Sequence, residues 1–281
     1  MNLYRNISIA DYHSEKTIPS RSALVQALKS PAHLNMYLNG THKVNDSMKL
    51  GTFIHDFIEN GIKISADWTT KQELYQRATN GRPAGSPKLD DEGNPLFSYV
   101  NTVDESLALT PAKSVLAVSM MKAIENDMFI VSAMDLDDLV IEPTFIGEIN
   151  GMKVKARPDL AFTDNNSLIE IKTTSSLDPA DIGREFFEYG YDMQAYLELE
   201  LSGADRVYFY FISSETPSGT ARFCVDRESQ WYKLGKFRTE KALELYYKHK
   251  DSVAESYTQA DIEVPLCYKA ANYMAENGIE A

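Results

Sequence analysis

Along the first half of the chain, apolar and polar positions recur mainly with a helical period. Over residues 48–61 the apolar side chains Leu50, Phe53, Ile54, Phe57 and Ile58 fall three or four apart, which makes one stripe along a helix, and Gly61 supplies a stop. Ser30-Pro31 reads as a helix start, with the serine as N-cap and the proline in the first turn. A further helix is expected over 111–126, opened by Pro111. Residues 79–95 are rich in Gly, Pro and Asp and are expected to form a loop. Up to about Asp137 the chain is therefore expected to be mostly helical.

After Leu139 the period shortens. Segments 139–146, 152–157, 167–173, 206–213 and 221–226 carry β character, and Glu148-Ile149-Asn150-Gly151 supplies turn chemistry between the first two. Helical stretches over 188–201 and 228–248 interrupt and follow them. Hairpin strands followed by strand–helix–strand predict an α/β protein with a mixed central sheet flanked by helices. The expected division is a mostly helical N-terminal region over 1–138, a core over 139–250, and a tail over 251–281 packed on that core. Neither an internal repeat nor a low-complexity segment is evident.

A length of 281 residues suits one core with helical elaborations. No apolar run approaches the roughly 18 residues of a membrane span. The stretch Met1-Asn2-Leu3-Tyr4-Arg5 is unlike a secretory signal, so a cytoplasmic location is expected. The two cysteines, Cys224 and Cys267, lie far apart and cannot supply a four-cysteine metal site; both are expected to be buried, reduced thiols. A formal charge of -13 weighs against an extended basic face for nucleic acid. It remains compatible with a carboxylate metal site and a local basic channel on an acidic body.

The chemistry is concentrated in Arg157-Pro158-Asp159 and Leu168-Ile169-Glu170-Ile171-Lys172. Alternate side chains of a strand share a face, so Glu170 and Lys172 project together, about 7 Å apart, while Ile169 and Ile171 face a packed helix. Pro158 ends or edges the preceding strand. If that strand pairs with 167–173, Asp159 approaches Glu170. Two converging carboxylates repel unless a proton or a cation intervenes. Mg²⁺ suits such a site because it takes oxygen ligands and keeps several waters. Lys172 adds a positive charge for a scissile phosphate or an attacking water, as phosphodiester hydrolysis requires. Taken alone, the motif is equally well met by a solvated edge pair and a turn aspartate. His55 borders the apolar stripe of its helix, one turn after Gly51 and one turn before Glu59, a position that an ordinary boundary histidine also occupies.

The Pro-Asp, spacer, Glu-Ile-Lys arrangement resembles the signature of the PD-(D/E)XK nuclease superfamily. The run Lys155-Ala156-Arg157-Pro158-Asp159 through Ile169-Glu170-Ile171-Lys172-Thr173-Thr174 resembles its RecE-type, phage exonuclease VIII branch. So do Ile7-Ser8, Tyr12-His13, Ser30-Pro31-Ala32-His33, Gly51-Thr52-Phe53-Ile54-His55 and Phe186-Phe187-Glu188-Tyr189-Gly190-Tyr191-Asp192-Met193-Gln194, in the same order. The resemblance implies a restriction-endonuclease-like core and a metal site of Asp159, Glu170, the Ile171 carbonyl and His55. It further implies Lys172 as the catalytic lysine, Gln194 as a residue positioning lysine or DNA, and Mg²⁺ as cofactor with Mn²⁺ as substitute. The implied activity is an exonuclease that resects linear double-stranded DNA from 5′ to 3′, supplying single strands to an annealing protein in phage-type recombination. A homo-oligomeric ring and a bacterial host cytoplasm are implied with it. A site- or structure-specific endonuclease and an inactive DNA-binding module are the alternatives. Arg77, Arg82, Lys88, Lys155, Arg157 and Arg184 are candidates for phosphate contacts. Three positions depart from the branch or stay open. Glu198 stands where relatives often carry Tyr, leaving Tyr196 as a core aromatic. Leu266-Cys267-Tyr268 matches the usual segment weakly, and Glu142 is either a further site carboxylate or a surface residue.

Overall fold

The computed structural model of the chain describes residues 7–40, 45–76 and 81–251. The order is α1 (Ile9–Ser14), α2 (Arg21–Lys29), α3 (Pro31–Asn39), α4 (Asp46–Glu59), β1 (Trp68–Gln72), β2 (Phe97–Asn101), α5 (Pro111–Glu125), α6 (Met128–Met134) and β3 (Leu139–Ile141). It continues with β4 (Phe145–Ile149), β5 (Met152–Ala156), β6 (Leu160–Phe162), β7 (Ser167–Thr174), α7 (Pro179–Glu188), α8 (Tyr191–Ser202), β8 (Arg206–Ser213), β9 (Thr220–Asp226) and α9 (Gln230–His249). Local chemistry explains the helix starts. The Ser30 hydroxyl accepts the His33 N–H at 3.2 Å before α3, and the Asn45 side chain accepts the Met48 N–H at 2.9 Å before α4. Thr110 and Pro111 open α5 in the same manner.

The central sheet runs β3-β6-β7-β8-β9, with β7 and β8 parallel and the other pairs antiparallel. Joining the parallel pair requires a crossover, which α7 and α8 provide. One face of the sheet, with Leu160, Ile169, Ile171 and Tyr210, packs on Phe53 and Ile54 of α4, Met120 of α5 and Ile130 of α6. On the other face, Leu168, Phe209 and Phe211 pack on Phe186 of α7 and on Ala195 and Leu199 of α8. A second layer beyond α8 joins Leu24, Phe145, Val154, Met193, Leu197 and Leu243, so α8 is covered on both sides. This sandwiching explains why its polar residues Asp192, Gln194, Glu198 and Ser202 are buried. Gly190, at φ +71°, starts α8, and a Cβ there would lie 2.5 Å from Val25 Cγ2.

Several expectations need correction. The region expected to be mostly helical also holds the β1–β2 hairpin, anchored where Trp68 and Tyr99 pack on Phe53 at ring-centroid distances of 4.9 and 4.6 Å. The single strand expected over 139–146 is two, because Glu142 takes a φ of +48° before Pro143 and sends β3 and β4 into different sheets. Helix α7 lies in a stretch for which the sequence predicts no element; of its residues only Phe186 is buried. Cys224 is exposed, because it sits on the outer edge strand β9 between outward-facing Arg222 and Asp226. Cys267, with Leu266 and Tyr268, and the tail beyond Asp251 lie outside the described residues, as does Arg77. No helix among the described residues is long and apolar enough to cross a membrane.

Candidate active site

The junction of β6 and β7 builds the site. As the turn chemistry at 148–151 predicts, β5 pairs with β4 in a hairpin; it does not pair with β7, and the chain turns at Arg157-Pro158 into the short strand β6, which does. Leu160 pairs with Ile169, so Asp159 sits just before the ladder begins, beside the exposed edge of β7. Its Oδ2 accepts the Ile171 N–H at 2.6 Å. The N–H and C=O of a strand residue leave the same edge, so the Ile171 carbonyl is directed to the Asp159 side as well.

Lys172 Nζ lies 2.5 Å from Glu170 Oε2 and 3.9 Å from Asp159 Oδ2, so the two carboxylates flank the ammonium. Alternation along β7 places Glu170 and Lys172 with Leu168 on the α8 side, while Ile169 and Ile171 enter the opposite apolar cluster. From that opposite side α4 crosses the end of β7, with Gly51 facing Thr173; a Cβ on the glycine would lie 3.6 Å from the threonine hydroxyl. One turn further on, His55 Nδ1 comes to 3.5 Å from Asp159 Oδ1 and 3.7 Å from Glu59 Oε1. Sequence reasoning missed Glu59 as a site group, although the i, i+4 spacing from His55 carried the signal.

On the inner side, Gln194 and Glu198 share a face of α8. Gln194 Nε2 donates to Glu198 Oε1 at 2.8 Å, and the Glu198 carboxyl meets that of Glu170. Gln194 therefore contacts Glu198, and not Lys172, which the resemblance offered with DNA as what it would position. Glu170 and Glu198 are each only 1% exposed.

These surroundings split the titration of like groups. Burial would raise the Asp159 carboxyl, but the His55 and Lys172 charges outweigh it and pull its pKa down to about 2. Burial likewise opposes the His55 imidazolium, yet Asp159 and Glu59 push it up to about 10. Lys172 stays firmly protonated despite burial because Glu170 and Asp159 face it. Glu198, buried and beside Glu170, is held well above the usual carboxylate range.

A divalent cation fits this arrangement. One ligand atom each from His55, Glu59 and Asp159 lies within 4.8 Å of the others. Glu59 Oε1 and Glu170 Oε1 are buried carboxylate oxygens with no hydrogen-bond partner among the described residues. Oxygen-rich donors with one imidazole suit Mg²⁺ or Mn²⁺ better than thiophilic metals. Glu59 thus joins the expected ligand set, beside Glu170, whose Oε2 pairs with Lys172.

The expected phosphate-contact residues do not form one cluster. Lys155 is buried and donates to the Tyr12 and Glu15 carbonyls, pinning the N-terminal segment to β5. Arg157 donates to the Ile7 carbonyl, Thr144 and Glu142, at 2.9, 2.8 and 3.0 Å. Glu142 accordingly serves as a partner of Arg157. Arg184 pairs with Asp181 on an exposed face, Arg82 stacks on Tyr75, and Lys88 lies 3.9 Å from Glu73.

The fold is shared with a known structure. A presumed exonuclease from Eubacterium rectale superposes over 97% of this chain and 98% of its own, with a TM-score of 0.57 at 12% identity. A phage-related exonuclease from Haemophilus somnus gives a TM-score of 0.37 at 13% identity, over 84% of this chain and 96% of its own. None of the curated proteins matches at the sequence level. Residues 20–258 match the PDDEXK-like domain of unknown function (DUF3799), and the chain belongs to that family.

Proposed function

We propose that this protein is a Mg²⁺-dependent deoxyribonuclease that degrades linear double-stranded DNA from its ends, 5′ to 3′, with Mn²⁺ able to substitute. The observation that carries the reading is the meeting of Asp159, Glu170 and Lys172 at one strand edge, with His55 and Glu59 delivered to the same place by α4. His55, Glu59, Asp159, Glu170 and the Ile171 carbonyl are the groups that would hold the cation. When bound, it would supply Lewis acidity toward a phosphoryl oxygen and neutralise charge that phosphodiester cleavage builds up.

The protein's own groups do the rest. Lys172 carries a permanent charge in a water-poor place, where it stabilises a pentavalent phosphoryl group more strongly than it would in bulk water. Glu170 orients that ammonium through its Oε2. Glu198 and Gln194 in turn hold Glu170 from behind. The 5′ to 3′ polarity, a ring-shaped homo-oligomer and a single-strand annealing partner follow from the resemblance to RecE-type enzymes, and are part of the same proposal. A ring would also retain DNA topologically, which suits a chain of charge -13.

The test uses end-labelled linear duplex and closed circular DNA, each with Mg²⁺, with Mn²⁺ and with excess chelator. Loss of the linear substrate alone, from the 5′ label, and only with metal, is expected. Cutting of the closed circle would replace the exonuclease reading with an endonuclease, and full cleavage in chelator would remove the metal.

A further inference from the structure

We propose that Tyr189, backed by Tyr191, forms a stacking platform for unpaired nucleobases, so that the site receives a single-stranded end and not an intact duplex. This rests on the nuclease reading above and names the form of nucleic acid that reaches Lys172. Tyr189 is 50% exposed, in the turn that follows α7. Tyr189 and Tyr191 have ring centroids 5.8 Å apart, and the Tyr191 ring lies 5.4 Å from Lys172 Nζ. The aromatics therefore lead from solvent to the lysine.

The display is rigid. Gly190 between the two tyrosines takes a φ of +71° and abuts Val25, so the turn is clamped against α2. Arg21 of α2 donates to the Tyr189 carbonyl at 3.0 Å and lies 5.7 Å from the Tyr191 ring. It also lines an open cavity of about 220 Å³ shared with Gln194 and Glu198. The Arg21 guanidinium thus flanks the rings, fixed before any ligand arrives.

Unpaired bases fit this surface by both shape and charge. A base within a duplex has its faces covered by its neighbours, whereas an unpaired base offers a free π-face to an aromatic ring, without regard to sequence. Arginine beside the rings adds cation–π attraction and a phosphate partner. Glu185 and Glu188 lie on the same helix and disfavour a phosphate-only mode of binding, so stacking has to carry the affinity.

The test titrates the full-length protein, in chelator so that nothing is cut, into a short single strand carrying 2-aminopurine and into a blunt hairpin duplex. Wild-type protein should quench the single strand. Tyr189→Leu should weaken single-strand binding about tenfold and lose the quench, with duplex binding changed by less than about twofold. Tyr189→Trp should keep both affinity and quench, which separates stacking from misfolding. Equal weakening on both substrates, or unchanged single-strand binding, would overturn the platform. So would a lower sedimentation mass for Tyr189→Leu with unaltered DNA affinity, which would make the patch an interface between copies. If wild type cleaves DNA while the variant binds normally, the platform alone fails; if wild type neither binds nor cleaves DNA, the nuclease reading fails with it.

Discussion

Two acidic clusters flank Lys172, and they differ in state more than in composition. The outer one, His55, Glu59 and Asp159, opens toward solvent and pairs its carboxylates with a charged imidazole. The inner one, Glu170, Glu198 and Gln194, is buried between β7 and α8 and sets carboxyl against carboxyl. Asp159 is accordingly held to about 2, while Glu198 is lifted well above its ordinary range. Burial is the common term; the nearest charge decides the direction. The outer cluster therefore sets a depressed carboxyl against an imidazolium, and the inner one sets a raised carboxyl behind Glu170.

Removing the group shared by both clusters should have the largest effect. Lys172→Ala should lower DNA cleavage by roughly 1,000-fold while circular dichroism and metal binding by calorimetry stay near wild type. Cleavage at a wild-type rate would dissolve the site assignment. Next, Asp159→Asn removes the anion that faces His55 and Lys172. Metal affinity should fall at least about tenfold, and the His55 pKa, followed by NMR, should drop from about 10 toward its ordinary value. An unmoved imidazole titration would show that Asp159 does not govern the outer cluster.

Smaller effects are expected at the margins. His55→Ala should cut activity with Mg²⁺ about tenfold or more, with partial relief at high Mn²⁺, and Glu59→Gln should do less in the same direction. A histidine that only fills the helix boundary would change stability and leave metal affinity alone.

The smallest effect tests the inner cluster through pH. A carboxyl whose pKa is raised on folding binds more protons in the native state than in the unfolded one, so it costs stability as pH rises above the ordinary carboxylate value. Glu198→Gln keeps the bond partner without the charge. In chelator, its melting temperature should exceed that of wild type by more at pH 8 than at pH 5. An equal difference at both values would mean that Glu198 is not held by burial and by Glu170.

The clusters also separate what was legible in the sequence from what was not. Strand alternation was enough to put Glu170 beside Lys172 and to send Ile169 and Ile171 into an apolar layer. Helical spacing likewise set Leu50, Phe53, Ile54, Phe57 and Ile58 into the core and His55 at its margin. The β character of 221–226 was legible as β9, but the exposure of Cys224 on it was not, because that depends on what covers the sheet; α7, with Phe186 its one buried side chain, was passed over. The region around Glu142 misled for another reason: a single left-handed residue divides one apolar run between two sheets, and φ is not written in hydropathy.

Period and local chemistry thus determined which residues share a face, where helices begin, and which strand bears the carboxylate–lysine pair. Tertiary structure alone decided that Asp159 arrives by way of β6 and not β5, that α4 crosses β7 where Gly51 permits, and that Glu198 closes behind Glu170. Those contacts join residues dozens of positions apart, and they depend on how sheet and helices cover one another, which local pattern does not encode. The protonation of each carboxyl follows from that burial and could be read only after it.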